Sequence, residues 1–201
     1  MLRAGLTGGL ASGKTFVGEK LQELGCFLIK ADDLGHATLE PGGEAYEPAV
    51  REFGDTILDS GGRINRRLLA AQVFGDPARL AILNGFVHPA VRSRTRKLTE
   101  DFMRRKPDGI VVNEAAILVE TGSYKDFDRL IVASCDEPRQ IERAMHRDGV
   151  TRAEAEVRLR RQLPLADKVK VADFVVDTSG SKENTVAQTI AVWEALRSIK
   201  Q

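Results

Sequence analysis

A glycine-rich segment near the start of the sequence has the residue types and the spacing that hold phosphate groups. Residues 8–15, called the phosphate segment below, read Gly-Gly-Leu-Ala-Ser-Gly-Lys-Thr and fit the pattern G-x4-G-K-[ST]. A chain without Cβ atoms can turn tightly, so that its N–H groups and the positive end of the following helix surround anionic oxygens. We therefore predict that ATP binds here. The segment's predicted ATP contacts are Gly8, Gly9, Ala11, Ser12, Gly13, Lys14, Thr15 and the next residue, Phe16.

Two residues of the phosphate segment have distinct predicted tasks in phosphoryl transfer. Lys14 is predicted to reach the β and γ phosphate oxygens as a catalytic residue, and the Thr15 hydroxyl is predicted to ligate Mg²⁺. The reaction also needs a carboxylate that receives or orients the acceptor hydroxyl. Asp32 is the candidate, because it follows the second predicted strand. The alternative is helix capping, for which Asp33 is the more suitable residue.

Further charged side chains could complete such a site. Glu114, at the end of the third predicted strand, either joins the Mg²⁺ shell or is a solvated loop carboxylate. Arg139, Arg143 and Arg147 recur every four residues, which places them along one helix face. Guanidinium groups there can contact phosphate oxygens or stack on a base, and a solvated charged face is the alternative. We predict that Arg143 is catalytic and that Arg143 and Arg147 bind ATP.

The elements that must position these residues alternate between short apolar runs and longer helical patterns. This alternation predicts an α/β fold with a parallel sheet covered by helices. Ligands of such sheets bind beyond the carboxyl ends of the strands, where the phosphate segment, Asp32 and Glu114 are expected to converge. The five predicted strands are residues 2–7, 26–29, 110–112, 129–134 and 173–177.

The helical patterns are unevenly distributed along the chain. Residues 33–108 read as mostly helical, which is too much chain for a simple crossover and predicts a lobe over the sheet. Within it, His88-Pro89 interrupts a long helical pattern, which predicts a kink or a part of the acceptor pocket. Thr151 and Glu154 form a capping-box pattern. The predicted helices are 15–24, 65–74, 77–105, 137–146, 151–162 and 182–198, the last with Val186, Ile190, Trp193 and Leu196 facing inward.

Length, charge and cysteine content limit the kinds of protein that this chain can be. The chain has 201 residues and a formal net charge of +1, which suits one domain with no overall attraction to nucleic acid or an anionic membrane. Cys26 and Cys135 lack a zinc or disulfide spacing and are expected to be reduced thiols. No signal peptide or membrane span is apparent, so we expect a cytoplasmic protein.

Taken in order, these and further segments resemble the dephospho-CoA kinase family nearly end to end. No single motif beyond the phosphate segment is specific, but the order and the spacing together are. The matching segments are Leu6 to Gly9, Ser12 to Thr15, Ala31-Asp32 with His36, Pro41-Gly42, Phe53-Gly54, Asn65-Arg66 with Leu69, Val73-Phe74, His88-Pro89, Leu118 with Glu120, Gln140 with Arg143 and Arg147, Gln162, Ala172-Asp173 and Val175 to Asp177.

The resemblance implies a three-layer P-loop NTPase fold with a five-stranded parallel sheet, a helical acceptor-binding lobe and a small lid. Residues 1–201 would form a single P-loop kinase domain. Its core would comprise residues 1–32, 108–136 and 171–201, its helical lobe residues 33–107 and its lid residues 137–170.

The resemblance also implies the reaction. ATP would phosphorylate the ribose 3′-hydroxyl of dephospho-CoA with Mg²⁺, which is the last step of coenzyme A synthesis. Asp32 would activate that hydroxyl, Arg66 and His88 would join it in binding the acceptor, and Arg143 and Arg147 would lie in the lid over ATP. The protein is expected to be a monomer. The phosphate segment alone also fits another small-metabolite or nucleoside monophosphate kinase, or a nucleotide-dependent switch.

Several positions depart from the family's usual pattern. Ala11 replaces a glycine, and Lys14-Thr15-Phe16 replaces Lys-Ser-Thr with the hydroxyl retained. Lys30 reverses a charge in an Asp-Ala-Asp triplet, and Thr178 replaces the asparagine of an Asp-Asn pair. Residues 116–120 read Ala-Ile-Leu-Val-Glu in place of Pro-Leu-Leu-Phe-Glu.

Overall fold

The centre of the fold is a five-stranded parallel sheet. A computed structural model describes residues 1–73 and 75–199. The spatial order of the strands is β2-β3-β1-β4-β5, with every neighbouring pair parallel. This arrangement confirms the predicted α/β fold and its five strands. The strands are β1 Leu2–Gly8, β2 Phe27–Lys30, β3 Ile110–Glu114, β4 Arg129–Ser134 and β5 Phe174–Asp177.

The strands form where the sequence has continuous apolar runs, because parallel strands covered by helices are buried on both faces. Residues 4–8 of β1 and all of β3 are buried, and β3 includes the polar residues Asn113 and Glu114. The prediction that β3 ends before this polar pair is therefore wrong. Register places Leu6 beside Glu114 and Gly8 beside Ala133.

Nine α-helices join and flank the strands within the described residues. Two of them, α6 and α7, are fixed by caps: Asp136 accepts a hydrogen bond from the Arg139 N–H, and Thr151 and Glu154 form the predicted capping box. The helices are α1 Lys14–Glu23, α2 Ala31–Thr38, α3 Tyr46–Phe53, α4 Arg66–Val73, α5 Pro77–Arg105, α6 Glu137–Asp148, α7 Arg152–Arg160, α8 Leu165–Lys170 and α9 Lys182–Ile199.

The chain divides into two compact units, Met1–Lys30 with Phe102–Gln201 and Ala31–Asp101. The first unit contains the sheet and the larger apolar cluster. Leu6, Val112 and Ile131 from the strands pack there with residues of α1 and α9. The predicted division of one kinase domain into core, lobe and lid stays a prediction.

The second unit is helical and has its own apolar cluster. Ala49, Phe53, Leu69, Val73 and Leu83 pack together there, with Ile57 from a short 3-10 turn. Phe74, the predicted end of α4, lies outside the described residues.

Helix α5 runs without a break through Pro89, over the range that the sequence predicted, and the kink at His88-Pro89 stays a prediction. A proline inside a helix removes the hydrogen bond to the carbonyl four residues earlier, which is Gly85. Gly85 and Pro89 are both exposed, so water can solvate that carbonyl. Among the residues that the structure describes, no helix has the length and the apolar character needed to cross a bilayer.

Candidate active site

The phosphate segment connects the end of β1 to the start of α1 by a turn that is closely packed at its first two glycines. A Cβ atom on Gly8 would lie 2.3 Å from Ser12 Oγ and 2.5 Å from the carbonyl oxygen of Ala133. A Cβ atom on Gly9 would lie 2.3 Å from Gln140 Oε1. Gly13, the residue before α1, has a φ of +84°. A side chain at Gly8 would therefore displace neighbouring backbone, and Gly13 has a conformation that L-residues rarely adopt.

Ala11 adopts a left-handed backbone conformation in this turn. Its φ is +48°, and within the described parts of the chain it is the one residue other than glycine with a positive φ. An L-residue in this region is destabilised by roughly 1–2 kcal/mol, because its Cβ crowds the following carbonyl oxygen. The turn therefore keeps Ala11 in a strained backbone conformation. The glycine that is usual in the family would adopt the same conformation without strain.

The segment also carries polar groups suited to an anion. Ser12 is fully buried, and its Oγ has no hydrogen-bond partner in residues 1–73 and 75–199. Buried hydroxyls are normally paired, so this atom is fit for a ligand oxygen. Lys14 is the first residue of α1, where the positive end of the helix dipole lies, and Phe16 is half-buried in the same turn. These residues fit the phosphates of a nucleotide.

Thr15, the last residue of the phosphate segment, and Glu114 bring two side-chain oxygens together. The Thr15 hydroxyl donates to Glu114 Oε1 at 2.9 Å. Glu114 is the last residue of β3 and is 7% exposed, so the alternative of a solvated loop carboxylate is wrong. Mg²⁺ prefers hard oxygens and usually retains several waters, with one or two protein ligands beside substrate phosphates. The donor set therefore fits this ion.

Arg143 is the arginine of α6 that reaches the neighbourhood of the phosphate segment. Its guanidinium donates to the carbonyl oxygen of Thr178 at 2.7 Å and to the Thr178 hydroxyl at 3.2 Å. That hydroxyl in turn donates to the carbonyl oxygen of Ser12 at 2.8 Å. The structure thus brings together Arg143 and the phosphate segment, as the sequence predicted, through a threonine that the sequence analysis did not include in the site.

The other two arginines of the predicted row engage carboxylates. Arg147 donates to both carboxylate oxygens of Asp148, at 2.7 and 3.1 Å. These hydrogen bonds hold the pKa of Asp148 below its usual value, with a smaller contribution from Arg158. Arg139 lies 3.7 Å from Asp136 on the exposed face of the helix. A shared helix face therefore does not give the three guanidinium groups a common partner.

The predicted acceptor residues all belong to the second unit, Ala31–Asp101. Asp32 and Asp33 are exposed in the first turn of α2, which begins directly after β2, so the alternative role of Asp33 as the helix cap is wrong. Arg66 is the exposed first residue of α4. His88 is half-buried in α5, where burial and, secondly, the charge of Arg92 lower its pKa.

A family model described as dephospho-CoA kinase matches residues 2–184 of this chain. The chain belongs to this family. The match confirms the predicted family and the class of reaction, phosphorylation of dephospho-CoA at the last step of coenzyme A synthesis, and it implies that ATP is a substrate.

One relative and two solved structures are similar to the chain over nearly its whole length. A dephospho-CoA kinase of Leifsonia xyli is 39% identical over 96% of this chain and 98% of its own. The crystal structure of TT1252 from Thermus thermophilus covers 96% of both chains with a TM-score of 0.81 and 29% identity. A dephospho-CoA kinase structure from Campylobacter jejuni, 24% identical, shares the fold over 96% of both chains with a TM-score of 0.64.

One departure from the pattern of the dephospho-CoA kinase family is accommodated by an ion pair. Lys30, which replaces an acidic residue, is the last residue of β2, and its ammonium donates to Glu19 Oε1 on α1 at 2.9 Å. The reversed charge is therefore neutralised within the first unit.

Two buried polar residues that contact the phosphate segment had no role in the site predicted from the sequence, although Gln140 is among the positions that match the family pattern. Gln140 is 3% exposed, donates to the carbonyl oxygen of Cys135, and places its Oε1 against Gly9. Lys168 is fully buried and donates to the carbonyl oxygen of Gly8 at 3.1 Å. One signal was available for the lysine, because Leu165, Lys168 and Val169 have the spacing of an inward helix face.

Proposed function

We propose that the protein transfers the γ-phosphoryl group of ATP to the ribose 3′-hydroxyl of dephospho-CoA, giving coenzyme A and ADP, with Mg²⁺ as the cofactor. Family membership supports the reaction, and the Thr15–Glu114 pair at the phosphate segment is the structural observation that carries it. Two hard oxygen ligands next to a phosphate-binding turn are the arrangement that a metal-assisted phosphoryl transfer requires.

The nucleotide is held by groups of the first unit. N–H groups of the phosphate segment and the start of α1 bind the phosphates, and Gly8 and Gly13 allow the tight turn that directs them. The Lys14 ammonium neutralises charge on the β and γ oxygens. Ala11, Ser12 and Phe16 complete the ATP contacts in the same turn.

Thr15 and Glu114 would hold the Mg²⁺ ion. When bound, the ion supplies positive charge to the phosphate oxygens as the terminal phosphoryl group is transferred. Glu114 contributes a negative charge that offsets the ion's charge, while the Thr15 hydroxyl contributes a neutral oxygen. The backbone at both residues belongs to regular elements, which keeps the two oxygens in place.

Arg143 stabilises the charge that develops on the transferring phosphoryl group, and Arg147 binds ATP beside it. Guanidinium groups suit this task because they stay charged and donate in a planar fork. In this structure the fork of Arg143 is already ordered by Thr178, so little side-chain freedom is lost when it exchanges an acceptor.

The acceptor is bound and activated by residues of the second unit. Asp32 accepts the proton of the ribose 3′-hydroxyl. The ribose oxygen then bonds to the γ phosphorus, and the bond between that phosphorus and the ADP oxygen breaks. Arg66 binds acceptor phosphate by charge. His88 accepts a hydrogen bond from dephospho-CoA, because its lowered pKa favours the neutral imidazole, which has a free ring nitrogen.

The same proposal extends to organisation and location. Residues 1–201 act as one monomeric kinase domain, with a core of residues 1–32, 108–136 and 171–201, an acceptor lobe of residues 33–107 and a lid of residues 137–170. A cytoplasmic location fits an ATP-dependent biosynthetic step. It also fits the two buried free thiols of Cys26 and Cys135, both with a pKa raised by burial.

Substrate specificity is tested by offering purified protein ATP and Mg²⁺ with dephospho-CoA, adenosine, AMP or shikimate, and by identifying products by mass spectrometry. We expect coenzyme A and ADP from dephospho-CoA, with the other acceptors unchanged. GTP in place of ATP is offered in parallel. Phosphorylation of another acceptor in preference to dephospho-CoA would disprove the proposed acceptor.

The role of Asp32 is tested by Asp32→Asn, with the neighbouring Asp33→Asn as the matched control. Both aspartates are exposed in the first turn of α2, so the two changes perturb the fold alike. Loss of a general base lowers kcat by about 10²-fold to 10⁴-fold. We expect that loss for Asp32→Asn alone, and a near-normal kcat would remove Asp32 from the mechanism.

A further inference from the structure

Lys168 is a fully buried lysine whose ammonium meets three acceptors on two segments of the chain, the end of β1 and the segment that follows β3. In α8, its Nζ donates to the carbonyl oxygen of Gly8 at 3.1 Å, to that of Ala116 at 2.9 Å and to Glu120 Oε1 at 2.6 Å. An ammonium group has three donors and no acceptor, so these partners use its full capacity. Buried lysines are rare unless they are paired in this way.

The hydrogen bond from Lys168 to the Gly8 carbonyl restrains the whole peptide unit between Gly8 and Gly9. The peptide bond between Gly8 and Gly9 is planar and trans, so its C=O and N–H point in opposite directions. Holding the Gly8 oxygen therefore sets the direction of the Gly9 N–H, the next donor of the phosphate segment. Glycine has the widest choice of backbone conformations, so a Gly-Gly peptide needs an external restraint more than any other.

The remaining contacts of Lys168 anchor it independently of the phosphate segment. Glu120 also accepts a hydrogen bond from the Leu163 N–H at 3.3 Å, and Ala116 accepts from the Thr7 hydroxyl at 3.1 Å. The ammonium is thus held by the segment that follows β3. This anchoring makes Lys168 a fixed point against which the Gly8 carbonyl is placed.

We propose that Lys168 is a positioning residue for nucleotide binding: its ammonium restrains the Gly8–Gly9 peptide so that the phosphate segment keeps its donors directed at the nucleotide. The inference rests on the proposed function only in assuming that this segment binds nucleotide. Lys168 acts through the backbone and does not touch the phosphates. A compact ammonium suits the task, because it can serve three acceptors that are not coplanar.

The first test is nucleotide affinity of Lys168→Met, measured by calorimetry with ATP and with ADP in the absence of any acceptor. Lys170→Met is the matched control, because Lys170 lies on the same helix but is exposed and pairs with Asp167. Without the donor to Gly8 the Gly8–Gly9 peptide is free to rotate, and we expect nucleotide binding to weaken by about 10-fold to 100-fold, which corresponds to the free energy of one or two hydrogen bonds. The control is expected to bind as wild type.

A second variant separates positioning from stability. Lys168→Met alone leaves the Glu120 carboxylate without its cation, which destabilises the fold whatever the lysine does for the nucleotide. Adding Glu120→Gln removes that charge and keeps an acceptor for the Leu163 N–H. We expect the double variant to regain thermal stability but to retain the weakened nucleotide affinity, because Gly8 still lacks its donor.

The outcomes are distinct. Recovery of nucleotide affinity together with stability in the double variant would show that Lys168 is structural only and would overturn the inference. Wild-type affinity in Lys168→Met would do the same. Nucleotide binding by the wild type without phosphorylation of dephospho-CoA would contradict the proposed function and leave the inference standing, whereas a wild type that binds no nucleotide would overturn both.

Discussion

Arg143 is joined to Thr178 by two hydrogen bonds, one to the carbonyl oxygen at 2.7 Å and one to the hydroxyl at 3.2 Å. The same hydroxyl donates to the carbonyl oxygen of Ser12 at 2.8 Å. One threonine therefore connects the phosphate segment with the arginine proposed to stabilise the transferring phosphoryl group. Threonine stands here in place of the asparagine that the family pattern usually has, and its single hydroxyl both donates and accepts.

Replacing Thr178 with valine should weaken both ends of this connection. The change keeps the side-chain shape at a position that is 5% exposed, but leaves the Ser12 carbonyl without this donor and Arg143 with one acceptor fewer. We expect a loss of about 1–2 kcal/mol in the free energy of unfolding, from the unpaired buried groups. The kcat/KM for ATP should fall by about 10-fold. Urea unfolding and steady-state kinetics measure the two effects.

Thr178→Ser is the control for that experiment, because it retains the hydroxyl and loses only a methyl group. The serine variant should stay close to wild type in kcat/KM. Equal kinetic losses in the two variants would show that the hydroxyl does not connect Arg143 to the phosphate segment.

Glu114→Gln should raise the Mg²⁺ concentration needed for half-maximal activity by about 10-fold, because an amide oxygen binds a divalent cation more weakly than a carboxylate. The amide can still accept the hydrogen bond from Thr15, so the local fold is retained. Titration of activity with Mg²⁺ at saturating ATP measures the shift, and excess chelator should abolish turnover in the wild type. A wild-type Mg²⁺ requirement in the variant would rule out Glu114 as a metal ligand.

The sheet was predictable because each strand is a short apolar run that parallel packing buries on both faces. Its boundaries were less so. Asn113 and Glu114 look like the start of a loop, yet both are buried in β3, where Glu114 accepts from Thr15. Tertiary partners that satisfy a buried polar side chain cannot be read from the local sequence, and the catalytic carboxylates and metal ligands of a site depend on such partners.

Polar residues on inward faces account for the errors in two helices, α9 and α8. In α9 the predicted inward residues Trp193 and Leu196 pack on the core, whereas Val186 and Ile190 are only half-buried. The buried positions in the first half of the helix are Thr185 and Thr189. The two threonines can be buried because their hydroxyls donate to carbonyls one turn earlier, Thr185 to Ser181 and Thr189 to Thr185. Helix α8 was missed because its inward face includes a lysine.

Ala11→Gly should stabilise the protein, in contrast to the same change in a helix. At a φ of +48°, glycine removes roughly 1–2 kcal/mol of strain and returns about 0.5–1 kcal/mol of backbone entropy to the unfolded chain. We expect a net gain of about 0.5 kcal/mol in the free energy of unfolding, or about 1–2 °C in Tm. Calorimetry measures the change.

Ala187→Gly in the exposed face of α9 is the matched control for Ala11→Gly. Here the φ is helical, so the same substitution should destabilise by about 1 kcal/mol. Destabilisation by both changes would show that the left-handed conformation of Ala11 is not strained in solution.

His88 should make the protein less stable as the pH falls below neutrality. Burial and, secondly, Arg92 lower its pKa, so the unfolded chain takes up the proton more readily than the folded one. The stability that neutral His88 contributes is therefore fully present above the ordinary histidine pKa of about 6.5. It is lost as the pH falls from there through the lowered pKa of the folded state.

Urea unfolding of wild type and His88→Gln at pH 7.5, 6.5 and 5.5 tests this effect, since glutamine has no titrating group. The free energy of unfolding should fall more steeply with decreasing pH in the wild type than in the variant. Glu44 and Asp148 do not confound this range, because their partners Arg94 and Arg147 lower pKa values that already lie below it. His146→Gln, which removes an exposed histidine, is measured alongside as the control variant. Equal pH dependence in wild type and His88→Gln would show that the pKa of His88 does not change on folding.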